Sequence, residues 1–156
     1  LITKIVAALD GSQTSADALG IAIDIASKYN AALKLVAVIP PVLVPFVSYS
    51  PTGTMPLSPI ATGEYYSQMN QKLKDVLAQS KNKAQELNPN LKISSKLLEG
   101  RPADQIVNLA KEWDSDLVVV GQKGVGAIEG FILGSVSDRV ADDAHCSVLI
   151  VKKHNT

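Results

Sequence analysis

The sequence predicts an α/β protein: a sheet of parallel strands joined through helices that cover both of its faces. Three observations carry that prediction. Short apolar runs such as Ile5-Val6-Ala7-Ala8-Leu9 are continuous rather than alternating, as in strands buried on both sides. Between these runs lie longer segments whose apolar residues recur three and four apart, the period of a helix packed by one side. The two kinds of segment alternate along the chain, the order that builds β-α-β crossovers.

The first strand begins in the segment Ile2 to Leu9, and Asp10-Gly11-Ser12 ends it. A helix follows, with Leu19, Ile23 and Ala26 on one face and Ala16, Ala22 and Tyr29 nearby. Leu33 to Ile39 is a second apolar strand, stopped by Pro40-Pro41 because proline cannot donate to a sheet ladder. Residues 40–63 differ in character. They hold Pro40, Pro41, Pro45, Pro51, Pro56 and Pro59, six of the eight prolines, with Gly53 and Gly63. A stretch this long without periodicity is functional or disordered. Its Val42, Leu43, Val44, Phe46 and Val47 favour packing onto something, so it reads as a lid or partner surface.

The strongest helical pattern comes next: Tyr66, Met69, Leu73, Val76, Leu77, Ser80, Ala84 and Leu87, ended by Asn88-Pro89. Its tyrosine and methionine read as core-facing. Leu91 to Leu98 alternates like a third strand. Gly100-Arg101-Pro102 opens a helix with proline in its first turn and carries Ile106, Val107, Ala110 and Trp113 inward. Asp116 to Val120 is the fourth strand, residues 135–144 a helix, and Ser147 to Lys152 the fifth strand.

At 156 residues the chain is long enough for a full core. Fifteen basic and fifteen acidic residues cancel, so no charge excess argues for nucleic acid or an anionic membrane. No apolar run reaches the length of a membrane span. One cysteine, Cys146, excludes an internal disulfide and suits a reducing compartment, where it reads as a buried inert thiol. The first residues read as a strand and not as a leader. A cytoplasmic location is the expectation.

In a parallel sheet, ligands sit beyond the carboxyl ends of the strands. Asp10, the Pro40 segment and Gly121 all follow such ends, so three separate pieces of sequence point to one rim. Gly121 and Gly124 let the backbone approach a ligand closely. Gly134-Ser135 would place amides at a helix start, where the macrodipole favours an anion. The hydroxyls of Ser135 and Ser137 are suited to phosphate, and Lys123 adds a mobile charge. The plainer reading is a glycine-rich turn with Ser135 as an ordinary N-cap. Asp10 is a turn and cap residue, a ribose or base acceptor, or a holder of a metal's water. Glu129 reads as exposed within the loop, and Arg101 as a solvated helix-start residue.

Other chemistry is disfavoured. GxxxxGK(S/T) fails because Ala127 follows Gly126, and the dinucleotide fingerprint fails because Glu129 stands in place of its third glycine. His145 and His154 have no partners at metal-ligand spacing. No GxSxG elbow or Cys–His pairing argues for covalent catalysis. The chain offers ways to hold phosphate but no evident general base, so binding is favoured over turnover.

At this point the sequence resembles the universal stress protein family, in its nucleotide-binding branch. The likeness rests on Val6-Ala7-Ala8-Leu9-Asp10-Gly11-Ser12, Gly100-Arg101-Pro102, Gly121-x2-Gly124-x9-Gly134-Ser135, and Ser147-Val148-Leu149-Ile150-Val151-Lys152. It covers essentially the whole chain. The resemblance implies one Rossmann-like domain over residues 1–156, a three-layer sandwich whose five-stranded parallel sheet has the order 3-2-1-4-5. It further implies that Ala8, Leu9 and Asp10 border an adenine nucleotide, with Asp10 near the ribose or the metal-bound phosphates. Val38 would meet adenine through its backbone, and Val120 and Gly121 would lie against the nucleoside. Gly124, Gly134, Ser135, Val136 and Ser137 would surround the phosphates, with Mg²⁺ among them. Gln122 stands where a small hydroxyl residue is common and Val125 where a basic one is, so AMP or ADP competes with ATP. A homodimer is implied too, paired through the final strand 147–152, with Val148, Ile150 and Val151 shielding its edge.

The leading expectation is thus an ATP-binding regulatory module of the stress response that acts by changing a dimer or partner surface, and not an efficient enzyme. Two others stand beside it. One is a slow ATPase or adenylate-using transferase, for which Asp10 is the one candidate base. The other is a nucleotide-free scaffold that binds a transporter or sensor.

Overall fold

The fold was obtained as a computed structural model that describes residues 1–42, 59–124 and 133–153, with the side chains of 59–62 left aside. Five strands and four helices alternate: β1 (Lys4–Ala8), α1 (Gln13–Tyr29), β2 (Ala32–Ile39), α2 (Pro59–Leu87), β3 (Ile93–Glu99), α3 (Pro102–Glu112), β4 (Leu117–Gly121), α4 (Ser135–Asp143) and β5 (Ser147–Val151). The strands form one sheet in the order β3-β2-β1-β4-β5, and every pairing is parallel. This is the α/β class and the order expected above.

The pleat divides the apolar residues between two faces. Ile5, Ala7 and Leu9 point with Leu33, Leu35 and Val119 toward α1 and α2, where Leu19, Ile23, Leu73 and Leu77 meet them. Val6, Val36, Val38, Val118 and Val120 point the other way, onto Ile106, Leu109 and Ala110 of α3 and Val140 of α4. Both faces of the central strands are therefore covered, which is why their sequences run apolar without alternation. Each such side chain contributes about 1.5–3 kcal/mol by leaving water.

Several boundaries and orientations differ from the sequence expectations. The irregular stretch assigned to 40–63 ends sooner, because α2 already begins at Pro59. Proline suits a first helical turn, where no internal acceptor awaits its missing N–H. The third strand starts at Ile93 instead of Leu91, since the Leu91 amide closes a turn onto the Asn88 carbonyl at 3.1 Å. Gly121 is the last residue of β4, paired with Val151, and not a loop residue. Tyr66 and Leu87, assigned to the inner face of α2, are exposed at 40% and 64%. Tyr29, placed near the inner face of α1, is likewise exposed. Trp113 does pack against the core as expected, half-buried at the C-cap of α3, with the Lys34 ammonium 4.1 Å above its ring. Residues 43–58, 125–132 and 154–156 lie outside the description. With them go the expectations for Leu43, Val44, Pro45, Phe46, Val47, Pro51, Gly53, Pro56, Val125, Gly126, Ala127, Glu129 and His154. Among the described residues no helix is long and apolar enough to cross a membrane.

One dimension matters for the site. At about 1.5 Å per residue, the 29 residues of α2 span about 44 Å, whereas the eight-residue β2 spans about 26 Å. The helix outruns the sheet it covers, and its first turns stand past the carboxyl-end rim.

Candidate functional site

Parallel pairing brings the carboxyl ends of β1, β2 and β4 to one rim, and a cavity of about 470 Å³ opens there. All twelve residues singled out from the sequence line it. Ala8, Leu9 and Asp10 come from the end of β1, and Val38 from β2. Val120, Gly121, Lys123 and Gly124 come from β4 and the loop behind it. Gly134, Ser135, Val136 and Ser137 come from the start of α4. The volume is in the range of small-molecule sites.

The β1 end is a locally folded turn. Asp10 Oδ1 accepts the Ser12 amide at 2.9 Å, and the Ser12 hydroxyl caps α1 by accepting the Ser15 amide at 3.2 Å. The turn-and-cap role read for this triplet is thus real, and it also aims the Asp10 carboxylate along the cavity wall. Thr14 reaches across from the first turn of α1 and donates its hydroxyl to the Lys123 carbonyl.

The glycines serve two different purposes. A Cβ on Gly121 would lie 2.7 Å from the Thr14 carbonyl carbon and 2.9 Å from the Ser15 amide nitrogen, so β4 and α1 touch backbone to backbone there. Among the described residues, a Cβ on Gly124 would meet the Asp10 carboxylate, 2.5 Å from Oδ2. Gly121 therefore answers to packing, and Gly124 to the cavity.

The start of α4 is held by the backbone of Gln122. Its amide donates to the Val151 carbonyl at 2.8 Å, while its carbonyl accepts from the Gly134 amide and the Ser137 hydroxyl, each at 2.8 Å. Two expectations need correction here. Gly134, in extended geometry with φ −76° and ψ 157°, is the N-cap, so Ser135 is the first helical residue and not the cap. The Ser137 hydroxyl spends its single hydrogen on the Gln122 carbonyl, with the Gly134 carbonyl 3.0 Å away, instead of offering it to a ligand. What the helix start presents is backbone: the first-turn amides of Ser135, Val136 and Ser137 have no carbonyl four residues back within the helix.

The cavity has members that the sequence reading missed. Val36 of β2, Ile106 of α3, and Tyr65, Met69 and Leu73 of α2 give it an apolar wall, and Lys72 adds a second ammonium beside that of Lys123. Met69, read as core-facing, belongs to this wall because α2 overhangs the rim. Spacing of i, i+4 and i+7 puts Tyr65, Met69 and Lys72 on one face, but the sequence did not reveal how far the helix would outrun the sheet. Next to this wall, Tyr66 donates to the Glu99 carboxylate, which ties the overhanging turns to the end of β3 and raises the tyrosine's pKa above its ordinary value.

Other titratable groups stand away from the cavity. Burial, with Lys96 and Lys4 close by, lowers the Lys34 pKa, and burial raises that of the Cys146 thiol. Arg101 is exposed at the N-cap of α3, and His145 is exposed. Among the described residues no cluster of three or more His, Cys, Asp or Glu side chains is arranged to hold a metal.

Comparison with known proteins places this geometry. The model of the universal stress protein family matches residues 2–152. A universal stress protein of Methanocaldococcus jannaschii, MJ0531, is 37% identical over 153 residues, covering 98% of this chain and 84% of its own. The structure of UspA from Lactobacillus plantarum superposes with a TM-score of 0.80 at 23% identity, over 96% of this chain and 97% of that one. A universal stress protein solved in complex with cAMP superposes with a TM-score of 0.67 at 28% identity, over 97% of both chains.

Proposed function

The chain belongs to the universal stress protein family, and from that premise we propose that its rim cavity binds an adenine nucleotide, with ATP as the leading ligand and ADP and AMP as alternatives. The observation that carries the proposal is the meeting, in one cavity, of an apolar wall with a backbone anion cradle. Val36, Val38, Ile106 and Met69 offer a base-sized apolar surface. The amides at the start of α4, the Gly124 backbone and the Lys123 ammonium suit phosphate. The binding of cAMP by a relative of the same fold supports the same class of ligand.

Mg²⁺ fits this arrangement as a companion of the phosphates. It is usually held by one or two carboxylates together with phosphate oxygens, and the cavity contributes one, Asp10, oriented by the Ser12 amide. The ion supplies charge neutralisation along the phosphate chain.

Binding without turnover is the function we assign: a cytoplasmic regulatory module of the stress response, working as a homodimer. Support for the dimer comes from β5, which among the described residues pairs with β4 alone and carries half-buried Val148, Leu149 and Ile150 at the sheet's edge. A nucleotide signals only if it binds two conformations unequally. The 40–63 segment, which leads into the overhanging turns of α2, is the element we assign to that difference and to any protein partner.

The test is to purify the protein without added nucleotide, unfold it, and identify what is released by mass spectrometry. ATP, ADP or AMP at near one per chain is the expected result. Protein that releases nothing and also leaves added Mg-ATP unbound would refute the proposal and favour the nucleotide-free scaffold.

A further inference from the structure

We propose that Lys72 determines specificity in this cavity: its ammonium favours ligands carrying a chain of two or three phosphates over those carrying one. The inference rests on the adenine-nucleotide reading of the site and concerns which nucleotide it prefers.

Lys72 comes from α2, an element that supplies none of the twelve residues identified from the sequence. The helix passes close to the β1 turn. A Cβ on Gly11 would lie 3.8 Å from Lys72 Cε and 3.4 Å from Val76 Cγ2. Gly11 holds a φ of 85°, which bends the chain between Asp10 and Ser12 and leaves room for the lysine stem to cross the turn. Beyond the turn, the Asp10 carboxylate reaches to where a Cβ on Gly124 would stand, and Gly124 is followed around the cavity by Gly134 and the start of α4. The sequence of groups along the wall is therefore α4 amides, Gly124, Asp10 and then Lys72.

That order has a consequence for charge. A single phosphate at the α4 amides is met by the helix terminus and by Lys123. Further phosphates extend past the Asp10 carboxylate, and positive charge on its far side favours them there. Lys72 supplies that charge from the protein, alongside any divalent ion. Because Lys72 is exposed, its effect is that of a solvent-facing charge pair, roughly two- to fivefold in affinity and weakened by salt.

The test compares ATP and AMP by titration calorimetry in wild type, Lys72→Gln and Lys72→Arg, with circular dichroism confirming that each variant is folded. Lys72→Gln is expected to weaken ATP by roughly two- to fivefold while AMP changes by less than about 1.5-fold. Lys72→Arg should retain ATP affinity, and the ATP deficit of Lys72→Gln should shrink in high salt. Equal loss for both nucleotides, or loss for neither, would overturn the role of Lys72 while leaving the nucleotide site standing. Wild-type protein that binds neither nucleotide would overturn the site and this inference together.

Discussion

Gly121 and Gly124 stand three residues apart in one motif, yet the structure separates what they do, and alanine at each makes that separation measurable. At Gly121 the added methyl would press on two backbone atoms of α1, the Thr14 carbonyl carbon at 2.7 Å and the Ser15 amide nitrogen at 2.9 Å. Real Cβ contacts do not come this close. Neither atom moves without moving the capped first turn of α1, so the cost lies at the upper end of overpacking, about 3 kcal/mol. For a chain of this size that lowers the melting temperature by about 6–12 °C. At Gly124, among the described residues, the methyl meets the end of the Asp10 side chain, which turns aside at the expense of a charge-assisted contact such as that with the Ser12 amide, about 1.5 kcal/mol and about 3–6 °C. The ligand effects run in the opposite order. Gly124→Ala displaces the carboxylate at the phosphate end and should weaken Mg-ATP by about tenfold, equal to about 1.4 kcal/mol, and a bulkier residue there should abolish binding in a folded protein. Differential scanning calorimetry and nucleotide titration of both variants provide the check. A Gly121→Ala protein as stable as wild type, or a Gly124→Ala protein that loses as much stability as Gly121→Ala, would refute the division of roles.

Two further predictions concern groups outside the cavity. Asp116 Oδ2 accepts the Thr3 amide at 2.7 Å, the Thr3 hydroxyl at 2.8 Å and the Lys4 amide at 2.9 Å, and these bonds, those from Thr3 foremost, hold its pKa below the ordinary 3.8. A depressed carboxylate pKa gives stability that is complete above the unfolded-state value and lost as the pH falls through the folded-state value. Asp116→Ala should therefore melt below wild type at neutral pH, and the gap should close on acidification below 3.8; a gap independent of pH would contradict this. Partial burial raises the pKa of Cys146 above its ordinary value, so its thiol should react with iodoacetamide at neutral pH more slowly than in the urea-unfolded chain, as followed by mass spectrometry. Equal rates would show that the thiol is not protected.

The fold was legible because the central strands are buried on both faces, and continuous apolar runs such as Ile5 to Leu9 record that directly. The site was legible for a related reason: parallel strands send Asp10, Pro40 and Gly121 to one end, so a topological argument gathers residues far apart in the chain. Hydrogen-bond economy was hidden. Nothing in the letters shows that the Gln122 carbonyl would take both the Gly134 amide and the Ser137 hydroxyl, leaving that serine no hydrogen for a ligand. The contribution of α2 was hidden too. Helical periodicity gives a face but not a length relative to the sheet, so Tyr65, Met69 and Lys72 read as ordinary helix residues until the overhang is seen. Gly121 lines the cavity, but its tight contact with the backbone of α1 is a tertiary fact that no spacing in the sequence shows.

The central claim is that the rim cavity holds an adenine nucleotide, and titration calorimetry of nucleotide-stripped protein with Mg-ATP tests it most directly. The account predicts saturable binding at about one nucleotide per chain, weakened by about tenfold in Gly124→Ala. Absence of binding by ATP, ADP, AMP and cAMP alike, in protein shown to be folded, would contradict it.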